Sequence, residues 1–177
     1  MKVSLIKQKN KISKSLDLMR KFEDICGKNI AKQMRDNVLQ TLCVPGGRPF
    51  SCIDPMDMSI IIDELSKNTS ITQLILAENR IYDQTLKGIG ALKNITSLDL
   101  SNNELTDDCL VHLKEMEQLC FLNLGGTNNF SEKALSFIFE YMKNLKTLVV
   151  SGIDASAIDP TKVPKCLELF IDEEIFI

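Results

Sequence analysis

The chain has 177 residues, 44% hydrophobic and 25% charged, with a formal net charge of −3; that is the make-up of one soluble globular domain. No apolar run approaches the roughly 18–20 residues that cross a bilayer, and Met1–Lys7 is no signal-peptide core, so a membrane-spanning class is excluded and a cytoplasmic protein expected. The charge is unevenly placed: residues 1–50 hold eleven Lys/Arg and four Asp/Glu, residues 51–177 ten and twenty, which joins a +7 start to a −10 body and favours oppositely charged partners.

In chain order, the first predicted element is helical and covers about 10–43. Ile12, Leu16, Met19, Phe22 and Cys26 recur at three or four residues, then Ile30, Met34, Val38 and Leu42 at four, with Gly27 dividing the run into two helices or one kinked helix. The segment fits no repeat, so residues 1–45 read as a helical N-terminal cap on a solenoid whose first core layer would otherwise be open. Val44-Pro45-Gly46-Gly47-Arg48-Pro49 then breaks the chain. Residues 46–177 read as the solenoid with its C-terminal cap, continuous with the first part as one domain. Phe50–Ile53 is a candidate degenerate strand, and Met58, Ile61, Ile62 and Leu65 form one helix face.

From Ile71 the chain repeats every 24 residues. Ile71-Thr72-Gln73-Leu74-Ile75-Leu76-Ala77-Glu78-Asn79-Arg80-Ile81 matches Ile95 to Leu105, and a third copy starts at Leu119. Each fits the frame L-x-x-L-x-L-x-x-N-x-L. Leu74/Leu76, Leu98/Leu100, Leu122/Leu124 and Leu148/Val150 are two apart, so each pair points to one side of a strand, and only stacked parallel strands can bury that side. Asn79 and Asn103 stand where the chain leaves the strand, and an amide there satisfies turn groups that would be buried unpaired. Thr127 brings one hydroxyl and Ile153 nothing, so that ladder is expected to end. Leu86/Ile89/Leu92, Leu110/Leu113/Met116 and Leu135/Ile138/Met142 mark helical return limbs. Asp83, Asp107 and Glu132 recur at their starts, where an acid suits the helix dipole. The third copy is two residues longer, one in the turn and one in the limb.

The limb from Ala155 to Pro164 contains Pro160 and Pro164 and is not expected to form a long helix. Cys166–Ile171 reads as a fifth strand with two possible inward pairs, Leu167/Leu169 or Leu169/Ile171, and Asp172–Ile177 as a cap.

Candidate chemistry is sparse. His112, the one histidine, lies on a limb and is expected to face water; no zinc spacing, Walker loop or nucleophile elbow occurs. The six cysteines form no C-x-x-C pair and read as reduced thiols. No catalytic residue, cofactor or metal is expected. The sequons at Asn68, Asn94 and Asn129 are discounted, two of them marking turns before strands. What remains is the outward face of the sheet. Its rows run Gln73, Ser97, Phe121, Thr147, then Ile75, Asp99, Asn123, Val149, then the small residues Ala77, Ser101, Gly125, Ser151, and last Glu78, Asn102, Gly126, Gly152. Phe121 and Ile75 amid polar neighbours give the pattern of a contact surface. The partner-binding candidates are Gln73, Ile75, Glu78, Ser97, Asp99, Asn102, Phe121, Asn123, Thr147 and Val149.

Lys67–Leu74 and Leu98-Asp99-Leu100-Ser101-Asn102-Asn103 resemble the leucine-rich-repeat superfamily with helical limbs, as in ribonuclease-inhibitor-like proteins. The resemblance covers residues 71–150, and Ile153 and the Pro-rich fourth limb depart from it. It implies an α/β, right-handed leucine-rich-repeat solenoid with parallel strands, whose concave face binds a protein and no small-molecule substrate. The short array, private helical start and Lys/Asn/Ile-rich composition are similar to leucine-rich-repeat effectors of intracellular bacteria. Glu168, Asp172, Glu173 and Glu174 near an apolar terminus resemble acidic export signals of type IV-secreted effectors, which would place the protein in the host cell cytosol. Two other classes stay open: a membrane- or nucleic-acid-surface binder using the basic start, with nucleic acid the less favoured, and a small enzyme with an unrecognised site.

Overall fold

The computed structural model describes residues 20–21, 24, 40–44, 52–127, 130–172 and 174–176. Short stretches with one buried residue between two less buried ones form the strands β1 (Thr41–Cys43), β2 (Gln73–Ile75), β3 (Ser97–Asp99) and β4 (Phe121–Asn123); β5 (Thr147–Val150) and β6 (Glu168–Ile171) bury two alternate residues each, and β7 (Glu174–Ile175) is exposed. They make one seven-stranded sheet in sequence order. Neighbours are parallel from β1 to β6, and β7 turns back antiparallel on β6. From residue 52 on, the α-helices among the described residues are α1 (Pro55–Ser66), α2 (Leu110–Leu113) and α3 (Glu132–Tyr141).

The register follows the repeat. Leu42, Leu74, Leu98, Leu122, Leu148 and Leu169 are aligned strand to strand, and all six are fully buried. Beside them Leu76, Leu100, Leu124, Val150 and Ile171 form a second buried column, and Leu86, Ile89, Leu110, Leu113, Leu135 and Ile138 close the interior from the limbs.

The turns after β2 and β3 are held by the frame asparagines Asn79 and Asn103. Asn103 Oδ1 accepts from the Asn79 and Ile81 N–H groups, both at 3.0 Å, and its Nδ2 donates to the carbonyls of Leu76 (3.0 Å) and Leu100 (2.8 Å). The amide therefore ties its own coil to the one before it. Asn79 does the same, donating to Val44 O at 3.2 Å and Ala77 O at 2.8 Å. Thr127 reaches only Leu124 O in its own coil. Ile153 adds no such bond and is buried as an apolar residue. The opposite corner has its own ladder: Asn94 donates to Asn68 O, Gln118 to Leu92 O and Ile95 O, and Asn144 to Glu117 O. Asn68 is itself buried, its Oδ1 accepting from Ser70 N and Ile71 N.

Three expectations are corrected. Thr41–Cys43 is strand rather than the end of a helical run, because Leu42 is the inward residue of a first coil paired to Leu74; Arg20, Lys21 and Asp24 are helical, and the rest of that run lies outside the described residues. Of the candidate strand Phe50–Ile53, Cys52 and Ile53 are not strand, and Phe50 and Ser51 lie outside the described residues; Ile53 is buried and its N–H bonds Asn79 O, a bond of the turn rather than of the sheet. The first limb is not α-helical: Asp83–Leu86 and Ile89–Ala91 are 3-10 turns, separated by Gly88 at φ 89°. A 3-10 turn rises about 2.0 Å per residue against 1.5 Å for an α-helix, so the shorter limbs span the coil with fewer residues. The longer third copy accommodates the ten-residue α3.

The recurring acids Asp83, Asp107 and Glu132 stand in the first turn of their limbs, as expected, and two of them also bond the next coil. Asp83 accepts from Thr106 N at 2.9 Å and Thr106 Oγ1 at 2.7 Å, and Asp107 accepts from Ser131 N and Oγ. Asp83 and Asp107 thus each hold the residue that caps the next coil's limb, Thr106 and Ser131. The fourth limb carries only the 3-10 turns Ala155–Ala157 and Pro160–Lys162, as its prolines require. In β6 the inward pair is Leu169/Ile171, aligned with Leu148/Val150; Leu167 is buried one step earlier.

Candidate functional site: the open face of the sheet

The strand pleat sends alternate side chains away from the interior, and pairing sets them in rows. Gln73, Ser97, Phe121 and Thr147 are in register, extended by Thr41 on β1 and Glu168 on β6. Ile75, Asp99, Asn123 and Val149 form the next row, extended by Cys43, Phe170 and, across the antiparallel pair, Ile175. Every strand residue singled out from the sequence is thus on this face. Gln73 is exposed, and Ile75, Ser97, Asp99, Phe121, Asn123, Thr147 and Val149 are half-buried.

Polar members of the rows are partly tied down. The Thr41 hydroxyl donates to Gln73 Oε1 at 2.7 Å. Asp99 Oδ1 accepts from Ser101 N and Oγ, and Asn123 Oδ1 from Gly125 N. These bonds hold the two side chains against the turn. The third row is less open than expected: Gly125 and Ser151 are buried, and Ser151 Oγ accepts from Gly126 N at 3.0 Å. Ala77 and Ser101 in the same row are half-buried.

Glu78, Asn102, Gly126 and Gly152 share one position, in the left-handed region at φ 60°, 54°, 71° and 72°. All four are exposed, at the rim where the chain turns inward. Glycine suits that backbone and other residues are strained in it. At Gly126 space is short as well, since a Cβ would fall 1.9 Å from Asn102 Oδ1 and 2.8 Å from its Cγ. Gly126→Ala is expected to lower stability by about 1–3 kcal/mol, measured by urea unfolding. A loss below about 0.5 kcal/mol would mean that this turn relaxes without cost.

Sequence reasoning missed the two ends of the face. Thr41 and Cys43 were legible from Leu39-Gln40-Thr41-Leu42-Cys43-Val44, an L-x-x-L-x-V frame 32 residues before Ile71. Phe170 needed the register of β6, and Ile175, 73% exposed, needed β7. Together Val149, Phe170 and Ile175 put three apolar side chains on adjacent strands, with Phe121 diagonal to Val149.

Elsewhere little chemistry gathers. His112 is half-buried rather than water-facing, and its Nε2 is a buried atom with no hydrogen-bond partner among the described residues. Five cysteines are free thiols, Cys109 fully buried. Burial first, then Asp83, Asp107 and Asp108, push the Cys109 thiol far above its ordinary range, so it stays protonated and inert. Among the described residues no group of three or more His, Cys, Asp or Glu is placed to hold a metal ion, and no helix is long and apolar enough to cross a membrane.

Aligned aliphatic columns, a coil-to-coil asparagine ladder and parallel three-residue strands define the type. The fold is leucine-rich-repeat-like. No family model matches the chain, and no curated protein does. Among solved structures the chain is similar to an internalin C2 from Listeria monocytogenes, at 18% identity and a TM-score of 0.48. The match covers 76% of this chain and 64% of that one, so the chain spans under two thirds of its length.

Proposed function

We propose that this protein is a non-enzymatic interaction module: a right-handed leucine-rich-repeat solenoid whose concave sheet face receives a protein partner. The observation that carries the reading is the in-register run of Val149, Phe170 and Ile175 on three adjacent strands, with Phe121 diagonal to Val149 on the fourth, set beside polar residues on the same rows. Apolar anchors within a polar surround are what protein-binding surfaces use, the anchors supplying most of the energy. Short parallel strands also hold these side chains on a rigid frame, so little ordering cost accompanies binding.

The test compares the parent with Phe121→Glu as baits in host-cell and bacterial lysates, read by quantitative mass spectrometry. Proteins enriched by the parent are expected to fall at least tenfold with the variant, while the melting temperature stays within about 2 °C because Phe121 lies outside the interior. Equal enrichment by both baits would remove this face as the binding surface.

The reading extends to a bacterial effector that acts on a host protein. Its support is the resemblance in composition and the exposure of Glu168, Asp172, Glu174 and Ile175 near the terminus. A reporter fused to the chain and scored for transfer into host cells, with and without residues 168–177, tests that extension.

A further inference from the structure

Among the described residues the charges on the open face are all of one sign. Glu78, Asp99, Glu168 and Asp172 are the described charged residues on its strand rows and left-handed rim positions, and no described lysine or arginine stands among them. Arg80 comes after the turn at Glu78, and Lys146 comes before β5. Among the described residues none of the four acids takes part in a salt bridge, the ion pairs there being those of Lys67 with Asp63 and Glu64 on the limb side. Asp99 engages only Oδ1, on Ser101. Glu168 meets only the Thr147 hydroxyl, at 3.5 Å.

We infer that the partner surface received by this face is a lysine- or arginine-bearing segment with apolar residues between its cations. The inference rests on the interaction reading above and names the partner's chemistry. Asp99 on β3 and Glu168 on β6 are three strand spacings apart across the sheet, about 14 Å at about 4.8 Å per strand, and two residues apart along it, about 7 Å, which makes about 16 Å in all. Phe121, Val149 and Phe170 lie in the interval. An extended chain advances about 3.3 Å per residue, so four or five residues link a cation over Asp99 to one over Glu168. The apolar side chains between them then meet the apolar row. An acidic segment would instead bring like charges onto carboxylates that have no cation beside them, and such juxtapositions select against the wrong partner.

The test uses the full chain and two fluorescein-labelled twelve-residue peptides, one alternating lysine with leucine, the other glutamate with leucine. Anisotropy titrations at 50 and 300 mM salt give the dissociation constants. The lysine peptide is expected to bind at least tenfold tighter than the glutamate peptide and to weaken at least fivefold at the higher salt, as screening requires. Asp99→Lys with Glu168→Lys is expected to weaken it tenfold or more. Glu115→Lys with Glu140→Lys, the same charge change on exposed limb residues, is expected to alter it less than threefold; this separates the face from the general acidity of the body. Equal loss in both double variants, or none in either, overturns the inference. So does self-association of the chain that the face variant abolishes, since a second copy would then be the occupant. If Phe121→Glu loses its lysate partners and those partners present no basic segment, this inference fails and the interaction reading stands.

Discussion

Asn103→Ala is expected to lower the unfolding free energy by about 2–4 kcal/mol. The amide serves two N–H groups, of Asn79 and Ile81, and three carbonyls, of Leu76, Leu100 and, more distantly, Ser101, at 2.8–3.2 Å. Asn103 itself is only 7% exposed. A buried polar group left without a partner costs about 1–3 kcal/mol, and water entering the vacated corner offsets part of the sum. Two companion variants make the test specific. Asn103→Asp keeps an acceptor for the two N–H groups, but it loses the donated bonds and turns a carboxylate oxygen toward the Leu76 and Leu100 carbonyls. It is therefore expected to be no better than alanine. Thr127→Ala removes a single bond within its own coil, to Leu124 O, and is expected to cost about 1 kcal/mol. Urea unfolding followed by circular dichroism measures all three. An Asn103→Ala midpoint equal to the parent's would mean that the ladder contributes nothing to joining the coils.

The middle of the fold was legible because its constraints are local and repeated. Leu74, Leu98 and Leu122 stand at identical spacing, and a one-residue slip would turn every one of them to water. The register of the outward rows followed from the same arithmetic. At the ends the constraint weakens. Leu42 satisfies a helical spacing from Val38 and a strand frame with Leu39 and Val44 equally well, and only pairing to Leu74 decides between them. The alternatives for β6 differed by two residues, with Leu167, Leu169 and Ile171 all apolar. What separates them is the partner strand, where Val150 meets Ile171. The acids at 83 and 107 were visible as a pattern at the limb starts, but the donors they bind were not, since those sit on the next coil, 23 and 24 residues away. The apolar cluster on the face was half visible. Phe121 and Val149 came from the frame, whereas Ile175 joins them only because the chain reverses at Asp172, in the left-handed region at φ 49°.

Leu100→Ala is expected to cost about 3–5 kcal/mol, the upper part of the range for a leucine truncated in a core that cannot collapse. Leu100 is fully buried, with Leu76 on the coil before it and Leu124 on the coil after. The chain cannot close around the loss, because hydrogen bonds from Leu76 N to Asp99 O and from Leu100 N to Asn123 O, at 2.8 and 2.9 Å, fix the separation of the strands. In a stacked array each coil is stabilised largely by its neighbours, so a cavity at the centre weakens two interfaces at once. Val150→Ala makes the comparison. It sits in the same column beside Ile171, removes two methyl groups instead of three heavy atoms, and leaves the central interfaces intact; about 1.5–2.5 kcal/mol is expected from the smaller loss of buried hydrocarbon. The denaturant slope adds a second readout, since it scales with the surface exposed in one cooperative step. The parent and Val150→Ala are expected to share a slope. A lower slope for Leu100→Ala would mean that the coils on either side of the cavity unfold separately. A cost below about 1 kcal/mol would place Leu100 outside the shared interior and contradict the alignment of the columns.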